Sequence, residues 1–129
     1  MNNTKIAFFI DDDEDFLELI HEVVQHPNFQ IKTLHVDNGY HAIDEIIKIR
    51  PDVLFIDFYL PRANGSQILP IIKYVQALSD LPVYFITGFP KEEILPFIKE
   101  SSCAGILSKN ESLKEDVLKI LEEVDRMAA

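Results

Sequence analysis

Residues 6–16 read "IAFFIDDDEDF", five apolar residues running straight into Asp11, Asp12, Asp13, Glu14 and Asp15. The apolar half has the length of a strand, and its lack of polar alternation suits a strand covered on both faces. The acidic half needs an explanation. Two carboxylates ~4 Å apart repel by roughly 4 kcal/mol at an effective dielectric of ~20, so such a cluster at the mouth of a buried strand requires positive charge nearby.

Four more apolar runs of strand length follow: "FQIKTLHV" at 29–36, "DVLFID" at 52–57, "LPVYFIT" at 81–87 and "AGILS" at 104–108. Helical spacing appears between and after them. Phe16, Leu19, Ile20, Val23 and Val24 form one stripe, and Ile43, Ile46 and Ile47 form another after the turn "DNGY". Leu113, Val117, Ile120, Leu121 and Val124 form the last, behind a Ser112 cap. Strict alternation predicts an α/β fold: a doubly wound five-stranded parallel sheet with right-handed connections and helices on both faces. Two prolines disturb the pattern. Pro70 should bend the third helix, and Pro96 in "PKEEILPFIKESS" should make the fourth start late or kink.

At 129 residues and 47% apolar, the chain reads as a single domain over residues 1–129, its last helix running to Ala129 with no output domain after it. A formal net charge of −10 repels phosphate backbones and anionic membranes, which points away from nucleic acid and membrane and toward protein or cation partners. One cysteine, no apolar leader and no run near the ~20 residues of a membrane span suit the cytoplasm. Cys103 reads as a small buried filler at a helix end.

In an open α/β sheet, ligands bind beyond the C-terminal ends of the strands. Asp11 and Asp12 close the first strand run, Asp57 the third, Thr87 the fourth, and Ser108 with Lys109 the fifth. Three carboxylates, a hydroxyl and one ammonium should converge there. Lys109 alone cannot neutralise three acids, and a hard dication bound by oxygen is the natural complement. Mg²⁺ fits because it keeps part of its shell for water and phosphate oxygens. Asp13, Glu14 and Asp15 read more simply as acids complementing a helix dipole. His21, His26, His35 and His41 lack paired ligand spacing and read as surface or edge residues.

Taken in order, "FFIDDDEDF", "PDVLFIDFYLP", "FITG" and "GILSK" resemble the receiver (response regulator) domain of two-component signal transduction systems over essentially the whole chain. The resemblance implies a flavodoxin-like strand order 2-1-3-4-5. It implies that Asp57 accepts a phosphoryl group from a sensor histidine kinase or histidine phosphotransfer protein. It also implies Mg²⁺ held directly by Asp12 and Asp57, by Asp11 directly or through water, and by the backbone carbonyl of Tyr59. Lys109 would pair with the phosphoryl oxygens and Thr87 would move to hydrogen-bond them. A stand-alone receiver of this kind is no enzyme beyond its own phosphorylation and dephosphorylation, and signals by phosphorylation-dependent binding of a downstream protein.

Two alternatives are a phosphate-independent pseudo-receiver and a haloacid-dehalogenase-like Mg²⁺-dependent phosphatase. The second rests on the D-x-D of Asp11 and Asp13, but has Asp15 where Thr or Val is expected and leaves Asp57 without a task. The chain also departs from the receiver pattern. Asn110 replaces the Pro usual after the lysine, which disfavours a cis peptide there. Ile106 replaces an aromatic switch residue, so a signal has to use Thr87, the loop after it and the fourth helix. Leu17, Ile20 and Val24 widen the apolar arc of the first helix, with Leu17 expected to stay exposed for kinase docking. Tyr59 and Phe89, each two residues past an active-site position, should crowd the in-line water that hydrolyses an acyl phosphate and so lengthen the phosphorylated state.

Overall fold

The computed structural model of the chain describes residues 4–99 and 102–127. Five parallel strands, β1 (Lys5–Asp11), β2 (Phe29–His35), β3 (Val53–Asp57), β4 (Val83–Thr87) and β5 (Gly105–Ser108), form one sheet in the order β2-β1-β3-β4-β5. Both the sandwich and the strand order are those expected. The central strands read as unalternating apolar runs because both faces are covered.

Side chains alternate across the sheet with the period of two that extended backbone imposes. Phe8, Ile10, Leu54, Ile56 and Phe85 pack under α2 (Gly39–Ile49), α3 (Gly65–Tyr74) and α4 (Lys91–Ile94). Ala7, Phe9, Val53, Phe55 and Ile86 pack under α1 (Glu14–Val23) and α5 (Leu113–Met127). On that second face the Phe9 and Phe55 rings stack with centroids 4.5 Å apart. The same alternation, carried to the last residues of β1 and β3, assigns Asp11 and Asp57 to the α1/α5 side.

Three helix starts have a side-chain cap. The Asp13 side chain accepts from the Phe16 N–H and begins α1, the Asn38 side chain accepts from the Tyr40 N–H and begins α2, and Asn64 with Gln67 forms a capping box on α3. Ser112, expected as the cap of α5, stands just ahead of it and donates its N–H to the Asn110 side chain. Gly65 is a matter of space. A Cβ there would stand 2.4 Å from Phe58 Cδ1 and 2.5 Å from Phe85 Cε1, so α3 approaches β3 and β4 only because the side chain is missing.

Several expectations need correction. Leu17 is buried, with 5% of its surface exposed, whereas Leu19 is 52% exposed. The Asp13 cap fixes the rotation of α1 and turns Leu17, Ile20 and Val24 into the core. Ile47 likewise lies outside the buried face of α2, which is Gly39, Ala42, Ile43 and Ile46. The fourth helix neither starts late nor kinks: it is four residues long and ends before Pro96, which has no N–H to continue the ladder. Pro70 sits inside α3 on its exposed side. Cys103 is half-buried just ahead of β5, with Sγ 3.7 Å from the Gly105 carbonyl oxygen. His21, His35 and His41 are exposed, while His26 packs edge-on against Phe29 and meets the Glu122 carboxylate. No peptide bond among the described residues is cis, and no helix among them is long and apolar enough to cross a membrane.

Candidate functional site

Register carries the acids together. Ile10 pairs with Ile56, so the next residues along β1 and β3 are Asp11 and Asp57 on neighbouring strands. Asp12 follows in the turn into α1, and carboxylate oxygens of Asp11, Asp12 and Asp57 lie within 4.8 Å of one another. Asp11 and Asp57 are buried and Asp12 is exposed. Thr87 pairs with Ser108 at the ends of β4 and β5, and the Lys109 N–H donates to the Thr87 carbonyl at 2.8 Å. Every acid and base expected at this edge is therefore there.

Backbone donors hold the acids in place. Asp11 Oδ1 accepts from the Asp13 N–H at 3.0 Å, and Asp57 Oδ1 accepts from the Tyr59 N–H at 3.1 Å. The second bond folds the β3–α3 loop back on Asp57. The Lys109 ammonium stands 2.8 Å from Asp11 Oδ2 and 3.7 Å from Asp57 Oδ2. Its approach to Asp11 is short but off-axis, and Oδ2 is otherwise buried without an aligned hydrogen-bond partner among the described residues.

One ammonium does not offset three acids. Burial, with the neighbouring Asp11 charge, pushes the Asp57 carboxyl up to about 7, against the opposing pull of Lys109. Burial also raises Asp11, opposed by Lys109. For Lys109 itself burial works downward, but the contact with Asp11 and the charges of Asp57 and Asp11 overturn it and leave the ammonium raised. A cluster of oxygen donors with a buried, unaligned carboxylate oxygen and a surplus of negative charge has the donor chemistry of a hard divalent cation. Asp13, the second acid of the D-x-D pattern, is spent on capping α1 and is outside the cluster.

The other side of the site is aromatic. Thr87 Oγ accepts from the Phe89 N–H at 2.9 Å, and the Phe89 ring meets the Tyr59 ring edge-to-face with centroids 5.0 Å apart. Tyr59 continues edge-to-face onto Phe58, and Phe58 onto Phe85. Ile106, which stands in place of an aromatic switch residue, is buried at 8% exposure. One neighbour was not legible. By its spacing Phe16 belongs to the core stripe of α1, yet its ring centroid lies 4.4 Å from Lys109 Nζ. Nothing in the sequence pairs these two residues, because they meet only through the fold, where α1 and the chain leading into α5 share one face of the sheet.

The sequence profile of the response regulator receiver domain matches residues 7–122. The polar-differentiation response regulator DivK of Brucella anthropi is 25% identical over 105 residues, 81% of this chain and 84% of its own. Among solved structures, the chemotaxis response regulator CheY4 of Vibrio cholerae superposes with a TM-score of 0.77 at 21% identity, covering 94% of this chain and 98% of that one. The response regulator TrrA of Thermotoga maritima, solved in complex with Mg(2+)-BeF, superposes with a TM-score of 0.75 at 18% identity, covering 92% and 98%.

Proposed function

The chain belongs to the response regulator receiver family, and from that premise we propose that it accepts a phosphoryl group from a phosphohistidine onto Asp57 and signals through the protein surfaces that this changes. The observation that carries the reading is the placing of Asp57: buried at the end of β3, with Asp11 and Asp12 within 4.8 Å and the Lys109 ammonium at 3.7 Å. An Asp57 carboxylate oxygen forms the O–P bond as the P–N bond of the phosphohistidine breaks, leaving the electron pair on the imidazole nitrogen. Lys109 faces the charge that spreads over the transferring oxygens. Asp11, Asp12, Asp57 and the Tyr59 carbonyl would hold Mg²⁺, which supplies when bound the positive charge these acids and the phosphoryl oxygens need. The Mg(2+)-BeF complex of TrrA supports that assignment by analogy of fold. The test is transfer of labelled phosphate from phosphorylated histidine kinases, phosphotransfer proteins and acetyl phosphate. Absence of labelling from all of them refutes the reading.

Thr87 carries the signal outward. Its Oγ holds the Phe89 N–H, so a Thr87 that turns to a phosphoryl oxygen loosens the loop between β4 and α4. The same loop governs lifetime. Hydrolysis needs a water in line with the Asp57 O–P bond, and the Tyr59–Phe89 ring pair bridges the two loops that flank it. Phosphorylated wild type should therefore outlast the Tyr59→Asn, Phe89→Glu double variant by about tenfold in Mg²⁺ buffer, with each single variant in between. Equal decay of wild type and double variant rules the shield out.

The donor-docking edge moves from Leu17 to its neighbours. Phe16, Leu19, Ile20, Val23, Asn110 and Leu113 line a mostly apolar groove of about 320 Å³ between α1 and the β5–α5 loop, with Lys109 at its end. A helix of a sensor histidine kinase or phosphotransfer protein lying there would present its phosphohistidine to Asp57. Leu19→Glu places a charge in that groove without touching the core, and should slow transfer from a protein donor by about tenfold while labelling by acetyl phosphate holds. Equal loss from both donors, or from neither, excludes this groove.

A further inference from the structure

We infer that Phe16 is a positioning residue for Lys109, its ring holding the ammonium between Asp11 and the acceptor Asp57; the inference rests on the phosphoryl-acceptor reading above. A lysine side chain is a point charge on a flexible four-carbon stem, with no preferred geometry of its own. Here the backbone tie from Lys109 N–H to the Thr87 carbonyl fixes only the root of that stem. The head has two carboxylates to choose between, Asp11 Oδ2 at 2.8 Å and Asp57 Oδ2 at 3.7 Å, and the nearer contact is off-axis. What confines it is the Phe16 ring, whose centroid lies 4.4 Å from Nζ, inside the ~6 Å over which a ring face attracts a cation.

The ring is in turn fixed by the acidic stretch that opens the site. Asp11 Oδ1 accepts from the Asp13 N–H, Asp13 Oδ1 accepts from the Phe16 N–H at 3.2 Å, the Phe16 ring faces Lys109, and Lys109 faces Asp11 again. These contacts close a circuit, so the helix cap, the metal-type acids and the lysine are set by one another. Phe16 also lines the groove beside α1, so a donor seated there would cover the ring and dry the contact. An ion–ring attraction strengthens as water leaves it, which couples docking to the placing of Lys109.

The test uses the full chain with Phe16 replaced by mono-, di- and trifluorophenylalanine, which drain the ring face of electron density while nearly keeping its shape. The rate of Asp57 labelling by acetyl phosphate should fall stepwise, by about fivefold across the series. Phe16→Leu should fall by a similar factor and Phe16→Trp should keep the wild-type rate, with chemical-denaturation midpoints unchanged through the fluorinated set. A flat rate across that set, or Phe16→Trp no better than Phe16→Leu, overturns the inference. A second readout needs no phosphate: the ε-methylene protons of Lys109 should resonate upfield under the ring and return in Phe16→Leu. Absence of that shift also overturns the inference. Its presence in a wild type that takes no label upholds the contact and sinks the acceptor reading instead.

Discussion

Asp57→Asn should abolish labelling of the chain by acetyl phosphate and by phosphohistidine donors alike. The amide has the shape of the carboxylate, and its oxygen can still accept the Tyr59 N–H that holds Asp57 at 3.1 Å, so the loop has no reason to rearrange. What disappears is the nucleophile, because a neutral amide oxygen does not form a stable acyl phosphate. The expected drop is at least about a thousandfold, to background. In the wild type, one phosphate per chain should be released by hydroxylamine, as an acyl phosphate is. Label that persists in the variant removes Asp57 as acceptor, and label mapped to Asp11 would restore the D-x-D phosphatase alternative. The latter has Asp13 working against it, since that residue caps α1.

The same substitution should stabilise the metal-free protein. The Asp57 carboxyl is pushed up to about 7 in the fold by burial and by the Asp11 charge, from an ordinary carboxyl value of 3.8. The folded state thus binds more protons than the unfolded state between those two values, so stability falls as pH rises through that window. Below it the penalty is absent, and above it the penalty is complete. At about 1.4 kcal/mol per unit, ionised Asp57 costs the fold on the order of 4 kcal/mol near pH 8. Asn removes that charge but turns an amide toward Lys109, so a net gain of about 2–3 kcal/mol is expected in EDTA, shrinking toward zero near pH 4. Saturating Mg²⁺ should narrow the gap by favouring the wild type, since a cation that binds only the folded state adds its own stabilisation. Denaturant titrations of both proteins across this range check it. A variant no more stable than wild type in EDTA near pH 8 rejects the buried-charge account.

What could be read from the sequence depended on whether a pattern had one solution or two. Strands β1, β3 and β4 are unbroken apolar runs ending in Asp11, Asp57 and Thr87, and a parallel sheet has only one edge on which such ends can meet. For α1 the spacing had two solutions. The stripes through Phe16, Leu19 and Val23 and through Leu17, Ile20 and Val24 overlap, and the choice was made by the Asp13 cap, a hydrogen bond to the Phe16 N–H that hydropathy does not encode. The length of α4 is not legible because Lys91, Glu92, Glu93 and Ile94 are ordinary helix residues, and the helix stops short of Pro96 only in the folded chain. The contact of Phe16 with Lys109 had no local signal at all, being made by residues from opposite ends of the chain.

A helix of four residues is too short to be stable by its own hydrogen bonds. What keeps α4 in place is Ile94, wholly buried under the sheet, together with the turn bonds from Glu93 N–H to the Pro90 carbonyl and from Phe97 N–H to the Ile94 carbonyl. Its amides should then exchange with solvent through small openings of this segment alone, while those of α3 and α5 wait for larger ones. The segment begins just past the Phe89 amide that Thr87 holds, so a change at Thr87 reaches it within a few residues. A message passed this way can be one of motion rather than of shape: the same average coordinates, exchanged more slowly or more quickly, with the entropy of the segment as the quantity a partner senses.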